Sequence, residues 1–494
     1  MPQSDFIQDA VKLITICPGL PSPNPTQAAW QQPPHPTISD AQSPELPSET
    51  DVAVIGSGIT GTAVTHYLLN HGGDLRVTML EARTSVSGAT GRNGGHLVSD
   101  SDSLFPSLVK EIGIDQAIET VRFSEANIRR LEDLIAQLNP KEREAVEFRH
   151  VISTTALEDQ ESFEEAVDGL KQLLRAVPDS GIKYKVCNKE DASKVFGFHN
   201  VAGVVEQHGV AALWPYRLIT AVLASLRKDF SSRFNLETKT PVLSVDHDES
   251  SRTFPYTLHT NRGVLRVRHV IHCTNGYSGH LIPNLVGKLY PLRGTMSTQK
   301  LGPSFPHLGD RMSWSHISKG TYDASTGHIH LGLYYAQQNA KTGVMFLGGE
   351  SQSLSGLLTS DDSFVGDDAR DTLTSEAPRI WKDAVSAEPL KVWSGIMGFT
   401  ADGMPLVGSL PTTLTGRSGS GEWIVAGFNG HGMDKCWLSG EALARMVLGE
   451  KEVPAFPKAY LLTARRIESW SAEKAAETLM DHIMLGGTAP TSQM

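Results

Sequence analysis

The sequence predicts an α/β fold (α+β overall), a parallel-sheet domain with a second domain on a mostly antiparallel sheet inserted into it. Three observations carry this. A strand–turn–helix–strand unit with spaced glycines occupies Asp51–Glu81, and a second glycine-rich turn follows at Ser87–Leu97. Strand–turn–helix order returns at Trp423–Leu448, while Gly294–Gly349 alternates as antiparallel strands do.

Asp51-Val52-Ala53-Val54-Ile55 is a short apolar run, the pattern of a strand buried on both faces. Gly56, Ser57, Gly58, Ile59, Thr60 and Gly61 follow as G-x-G-x-x-G. The first glycine allows a sharp turn, the second lets backbone approach a pyrophosphate, and the third brings the next helix close to the sheet. That helix spans about Ile59 to Asn70, and its N-terminus offers unpaired N–H groups and a positive dipole end to a diphosphate. The next strand, Arg76–Leu80, ends in Glu81, about 20 residues beyond Gly61, where a carboxylate meets a ribose hydroxyl. Ala82 and Arg83 follow it. Glu81 also repels a 2′-phosphate. The alternative is an ordinary βαβ turn, but the complete order of elements favours a Rossmann-like dinucleotide site.

Gly88, Ala89, Thr90, Arg92, Asn93, Gly94, Gly95 and His96 form the second segment. Its small residues let main chain pass a flat ring system, and Arg92 and Asn93 suit phosphate or ring heteroatoms. Here the chain resembles the D-amino-acid oxidase-like (DAO) family of FAD-dependent amine oxidoreductases, and GATGRNGGH is most similar to its gamma-glutamylputrescine oxidase branch. The resemblance implies FAD; the first segment alone leaves NAD open.

At 494 residues and 53.6 kDa the chain exceeds one ordinary core. A net charge of −11 argues against nucleic acid or anionic membrane as a main partner. Cys17, Cys187, Cys273 and Cys436 show neither metal spacing nor a disulfide framework, so no metal site is expected. No apolar run reaches the roughly 18 to 20 residues of a membrane span. The opening around Asp9 and Ile14 lacks a signal peptide's basic start and apolar middle. The expected compartment is the cytosol, with the peroxisome a minor alternative because Ser492-Gln493-Met494 only faintly matches a peroxisomal tripeptide.

Residues 1–48 are rich in proline, and Trp30 favours an arm laid over the folded domain above a disordered leader. The nucleotide-binding domain is assigned to 49–100, 201–292 and 390–450, the inserted domain mostly to 101–200 and 293–389, and a helix and tail to 451–494. Helices are expected over Leu104–Leu138, with Ile128, Leu131, Ile135 and Leu138 as an apolar stripe, and over Ser162–Ala176. The resemblance places the return to the nucleotide domain near Val201 and backbone of Val242 on the adenine. It puts Thr274, Asn275 and Gly276 near the pyrophosphate, after a strand ending in a buried Cys273. His328 and His330 share a strand face but lack a third ligand. Trp314, His316, Tyr334 and Tyr335 are expected to line the substrate cavity, with core packing as the alternative.

The late segment Trp393–Gly408, with Gly395 near its start and Asp402 opening its D-G-x-P, resembles the family's flavin loop. Gly430, His431, Gly432 and Met433 then turn into a helix from Asp434, whose positive end would face the pyrimidine edge of the flavin. The implied reaction is oxidation of an amine or amino-acid-like substrate by hydride transfer to flavin N5, giving an imine. His96, His431 and Tyr335 are the candidate catalytic groups, and molecular oxygen or another acceptor takes the electrons. Gly395 and Arg92 stand where some members carry a flavin-linking cysteine or histidine, so noncovalent FAD is expected. Phe346 stands where an oxygen-activating lysine occurs in others, which puts rapid use of oxygen in question. A tailoring oxidoreductase acting on a larger or non-amine substrate is the second reading, and a flavin-free binding protein the third.

Overall fold

A computed structural model describes residues 2–484, so the Ser492-Gln493-Met494 tripeptide lies outside the described residues. Two sheets organise the chain. In the first, the strands run Leu406–Ser409, Glu422–Ala426, Gly263–His272, Glu49–Ile55, Val77–Leu80 and Phe234–Glu237. The four inner pairings are parallel, from Glu422–Ala426 across to Phe234–Glu237. Val52, Ala53 and Val54 are fully buried, as a strand covered on both faces requires. The Ile59–His71 helix packs beside Cys436–Val447, so the early and late segments of the sequence are neighbours.

The second sheet runs Glu388–Thr400, Leu289–Lys300, Met345–Ser353, His328–Gln338, Met312–Ile317, Arg149–Leu157, Gly203–Ala212 and His96–Leu97. Its pairings along this path are antiparallel except Met312–Ile317 against Arg149–Leu157, which is parallel. Above it lie the Ser101–Ile112 and Gln160–Ala176 helices.

The structure corrects several boundaries. Gly203–Ala212 belongs to the second sheet, because its alternating apolar face pairs with Arg149–Leu157; the chain returns to the first domain through the Pro215–Asp229 helix instead of at Val201. The helix expected over Leu104–Leu138 breaks at Gly113, whose φ of +79 ends Ser101–Ile112 and begins Ile114–Gln137. The strand leading to Cys273 is the element Gly263–His272, antiparallel to Tyr256–Thr260 at its start and parallel to Glu49–Ile55 from Arg266 on. Trp393–Thr400 is strand and only its sequel turns, since Leu289–Met296 pairs along it.

The arm is ordered. Its Pro2–Ile14 helix packs against Ala472–Met484, and Trp30 is 2% exposed. Trp30 Nε1 donates to Asn93 O at 2.5 Å, and Trp214 Nε1 donates to Trp30 O at 2.6 Å. The proline-rich arm thus uses one indole to fasten itself behind the second glycine-rich turn.

Candidate active site

One cavity of about 1370 Å³ runs from the first glycine-rich turn, between the two sheets, to a mouth under the Gln160–Ala176 helix. This exceeds the usual range for a small-molecule site and leaves room for a dinucleotide and a substrate together. A methyl group on Gly56 (φ +110) would come within 2.6 Å of Cys273 O, and one on Gly61 within 2.0 Å of Gly56 O. The turn is therefore tight where a dinucleotide would approach, and the helix is pressed onto the sheet. Glu81 accepts from Ser57 N at 3.1 Å and Ser57 Oγ at 2.6 Å, and Arg83 N donates to it at 3.0 Å. An acid at the ribose end and glycine backbone at the phosphate end form a donor set that fits FAD.

Of the residues singled out from the sequence, Gly56, Ser57, Gly58, Ile59, Thr60, Glu81, Ala82, Arg83, Gly88, Ala89, Thr90, Arg92, Asn93, Gly94, Gly95 and His96 line this cavity. Val242, Thr274, Asn275, Gly395, Gly430, His431, Gly432, Met433 and Tyr335 do so as well. Gly61, Gly276 and Asp402 do not. Gly61 holds the helix to the turn, and Gly276 lies against Met397 O. Asp402 is paired with Arg466 at 2.6 Å.

Arg92, expected to suit phosphate or ring heteroatoms, is engaged by the protein, as is Arg83. Arg83 Nη1 donates to both oxygens of Asp362, at 2.9 and 2.8 Å. Arg92 donates to Ser87 O at 2.6 Å and Ser394 O at 2.8 Å, with Asp362 at 3.8 Å. Burial depresses Arg92 to about 10, opposed by Asp362, so it stays charged. Both guanidinium groups are spent on the protein, tying the second turn to the arm and to Ser394, and neither offers a free fork to phosphate.

Trp314, His316 and Tyr334 point away from the cavity, because alternate residues of a strand face opposite sides; Trp314 and Tyr334 fill a core cluster with Trp381. Tyr335 faces inward, and burial raises its hydroxyl above the ordinary range. Phe346 shares the sheet face of Tyr335 but does not line the cavity, because it is packed under Trp30, on which it stacks. His328 and His330 bond to Ser351 and Ser318, and no group able to hold a metal occurs among the described residues. His96 is pushed down to about 4 by burial, partly opposed by its 3.1 Å bond to Ala336 O, so it is neutral at physiological pH.

Other groups were not foreseen. Glu350, on Met345–Ser353, is 5% exposed and lines the cavity. It accepts from Thr295 N, from Thr295 Oγ1 at 3.3 Å and from Gln352 Nε2 at 2.6 Å. Burial pushes its carboxyl up to about 8, although these donors and the Arg293 charge pull the other way. A lone acid directly after the apolar and glycine run Val344–Gly349 was the sequence signal for it. Asp100 receives Lys435 Nζ at 3.0 Å and stands 3.2 Å from His431 Nδ1, while Asp434 receives the same ammonium at 2.9 Å. Burial works against Lys435's charge, but the two aspartates overrule it and hold its pKa above the ordinary range. Gly19, Leu20 and Pro21 of the arm line the cavity too.

This fold and site define an FAD-dependent oxidoreductase. The chain belongs to the DAO family of FAD dependent oxidoreductases, whose sequence profile matches residues 51–446. It is similar to gamma-glutamylputrescine oxidoreductase of Escherichia coli (strain K12), 23% identical over 411 residues, covering 81% of this chain and 84% of that one. Among solved structures it resembles glycine oxidase from Geobacillus kaustophilus (TM-score 0.61, 19% identity, 85% of this chain and 99% of that one). It also resembles L-amino acid deaminase from Proteus vulgaris (TM-score 0.63, 14% identity, 87% and 100%). No helix among the described residues is long and apolar enough to cross a membrane.

Proposed function

We propose that the protein oxidises the C–N bond of an amine or amino-acid-like substrate to an imine. The observation that carries this is Glu350, a buried carboxyl on the sheet floor of the same cavity that holds the glycine-rich turns. FAD, when bound, supplies a hydride acceptor at N5. The chain's own residues bind the amine, set its protonation and keep water out.

An amine must lose its proton before a hydride can leave its α-carbon, since the nitrogen lone pair stabilises the forming imine. Glu350 is placed to receive that proton: its pKa of about 8 lies near working pH, the condition for efficient proton transfer. Thr295 and Gln352 orient the carboxyl through the bonds described above. Met296, Met397 and Leu333 supply apolar wall around it. His96, neutral and fixed on Ala336 O, is a positioning group, and His431 is held by Asp100.

Molecular oxygen or another acceptor completes the cycle. The size of the cavity favours, as a second reading, a tailoring oxidation of a larger substrate. Anaerobic addition of an amine panel to the purified, FAD-loaded protein separates the two. Loss of the flavin absorbance with simple amines or amino acids is expected; no bleaching by any of them would move the assignment to the second reading.

A further inference from the structure

The outer half of the cavity is lined by acids. We propose that it binds a second, remote ammonium of the substrate, so that the amine oxidised is a diamine or polyamine cation and not an amino acid. This rests on the amine-oxidation reading above and narrows it.

Two residues carry the site. Gln207, on the Gly203–Ala212 strand, donates through Nε2 to Asp102 Oδ1 and to Ser99 O, both at 2.9 Å. Its Oε1 is buried without a hydrogen-bond partner, and the residue is 4% exposed and lines the cavity. A buried amide oxygen left unpaired is destabilising, and only a donor relieves it. Beside it is the Asp102 carboxyl, buried and lining the same cavity. An ammonium, with three donors and no acceptor, matches an orphan carbonyl next to a carboxylate. A substrate carboxylate would leave the Gln207 oxygen unpaired and meet Asp102 as a like charge.

The rest of the lining has the same sign. Glu161, Glu164, Glu165 and Asp168 of the Gln160–Ala176 helix surround the mouth. The lysines and arginines among the described lining residues are Arg83, Arg92 and Lys319. The arginines are engaged at the Asp362 end of the cavity, and Lys319 is held by Glu161 at 2.6 Å. An α-carboxylate therefore has no unengaged cation to pair with, whereas a cationic amine is drawn in by the rim and received at Asp102.

Isothermal titration of the FAD-loaded protein under anaerobic conditions tests this, with spermidine, butylamine and γ-aminobutyrate as probes. Spermidine is expected to bind about tenfold or more tightly than butylamine, as one charged hydrogen bond implies. γ-Aminobutyrate is expected to bind more weakly than either. Asp102→Asn should cut spermidine affinity about tenfold. Glu164→Gln combined with Asp168→Asn, both at exposed positions that leave packing intact, should flatten the salt dependence of spermidine binding. Binding of γ-aminobutyrate as tightly as spermidine would overturn the proposal. So would spermidine affinity unchanged in Asp102→Asn, or unchanged salt dependence in the rim variant. Failure of the amine-oxidation reading shows separately, as flavin that no amine bleaches whatever the order of binding.

Discussion

Trp30 stacks on Phe346 with ring centroids 3.9 Å apart and planes 20° from parallel. This joins a segment at the start of the chain to the floor strand of the substrate sheet, and the same indole N–H holds Asn93 of the second glycine-rich turn. Trp30→Ala is expected to destabilise the protein by about 3–5 kcal/mol, the cost of removing a buried Trp. It is also expected to weaken retention of FAD, because Asn93 and Gly94 lose their backing. Thermal unfolding with and without added FAD measures both, and Trp30→Phe should restore most of the stability but not the bond to Asn93.

Asp362 neutralises two buried guanidinium groups, directly at Arg83 and at 3.8 Å from Arg92. Removing one partner of such a group leaves uncompensated charge in a low dielectric. Asp362→Ala is expected to cost about 3–5 kcal/mol in chemical denaturation. A cost below about 1 kcal/mol, the range of exposed pairs, would show that water reaches the arginines.

Cys273 and Cys436 line the cavity, and burial pushes Cys436 up to about 12 and Cys273 above that range. Almost no thiolate exists to attack a flavin ring. Gly395 and Arg92 face each other, a methyl group on the glycine reaching within 3.0 Å of Arg92 Cβ, and neither is a nucleophile. Acid precipitation should therefore release the flavin into the supernatant; yellow colour remaining in the pellet would contradict this.

Glu422 accepts from Arg417 at 2.6 and 2.7 Å and stands 3.1 Å from His272. Burial favours its neutral form, but the Arg417 and His272 bonds win and depress it to about 2. A depressed carboxylate contributes stability that is present above about 4.5 and is lost as pH falls through about 2. In Glu422→Gln the melting temperature should be lower at neutral pH and fall less steeply over that acid window.

The nucleotide half of the molecule was legible because its chemistry is local. Gly56–Gly61, Glu81 and the turn at Gly430–Met433 each need particular residues at short spacing, and all but Gly61 line the cavity. The substrate half was not, because its groups converge from separate strands and helices. Glu350 is paired with Thr295 across the sheet, and Asp102 with Gln207 across about a hundred residues of chain, which no window of sequence displays. Strand phase decided the aromatic residues: Tyr335 faces in and Tyr334 out, a distinction that an unbroken run of apolar and aromatic residues conceals. Arg92 was misread for a simpler reason. A guanidinium in a glycine loop suits phosphate or protein equally until Ser87, Ser394 and Asp362 are brought to it.

Glu350 gives the most direct test, by single-turnover reduction of the flavin under anaerobic conditions across the pH range. A carboxyl held at about 8 is ready to take a proton only above that value, so the rate with a reactive amine should rise through about pH 8. In Glu350→Gln that rise should vanish and the rate fall by about 10²- to 10⁴-fold. The raised pKa also means that Glu350's contribution to stability, full below about 4.5, is lost as pH rises through about 8; the glutamine variant should be the more resistant to unfolding at alkaline pH. Flavin reduction at an unchanged rate and with an unchanged pH profile in Glu350→Gln would contradict the account.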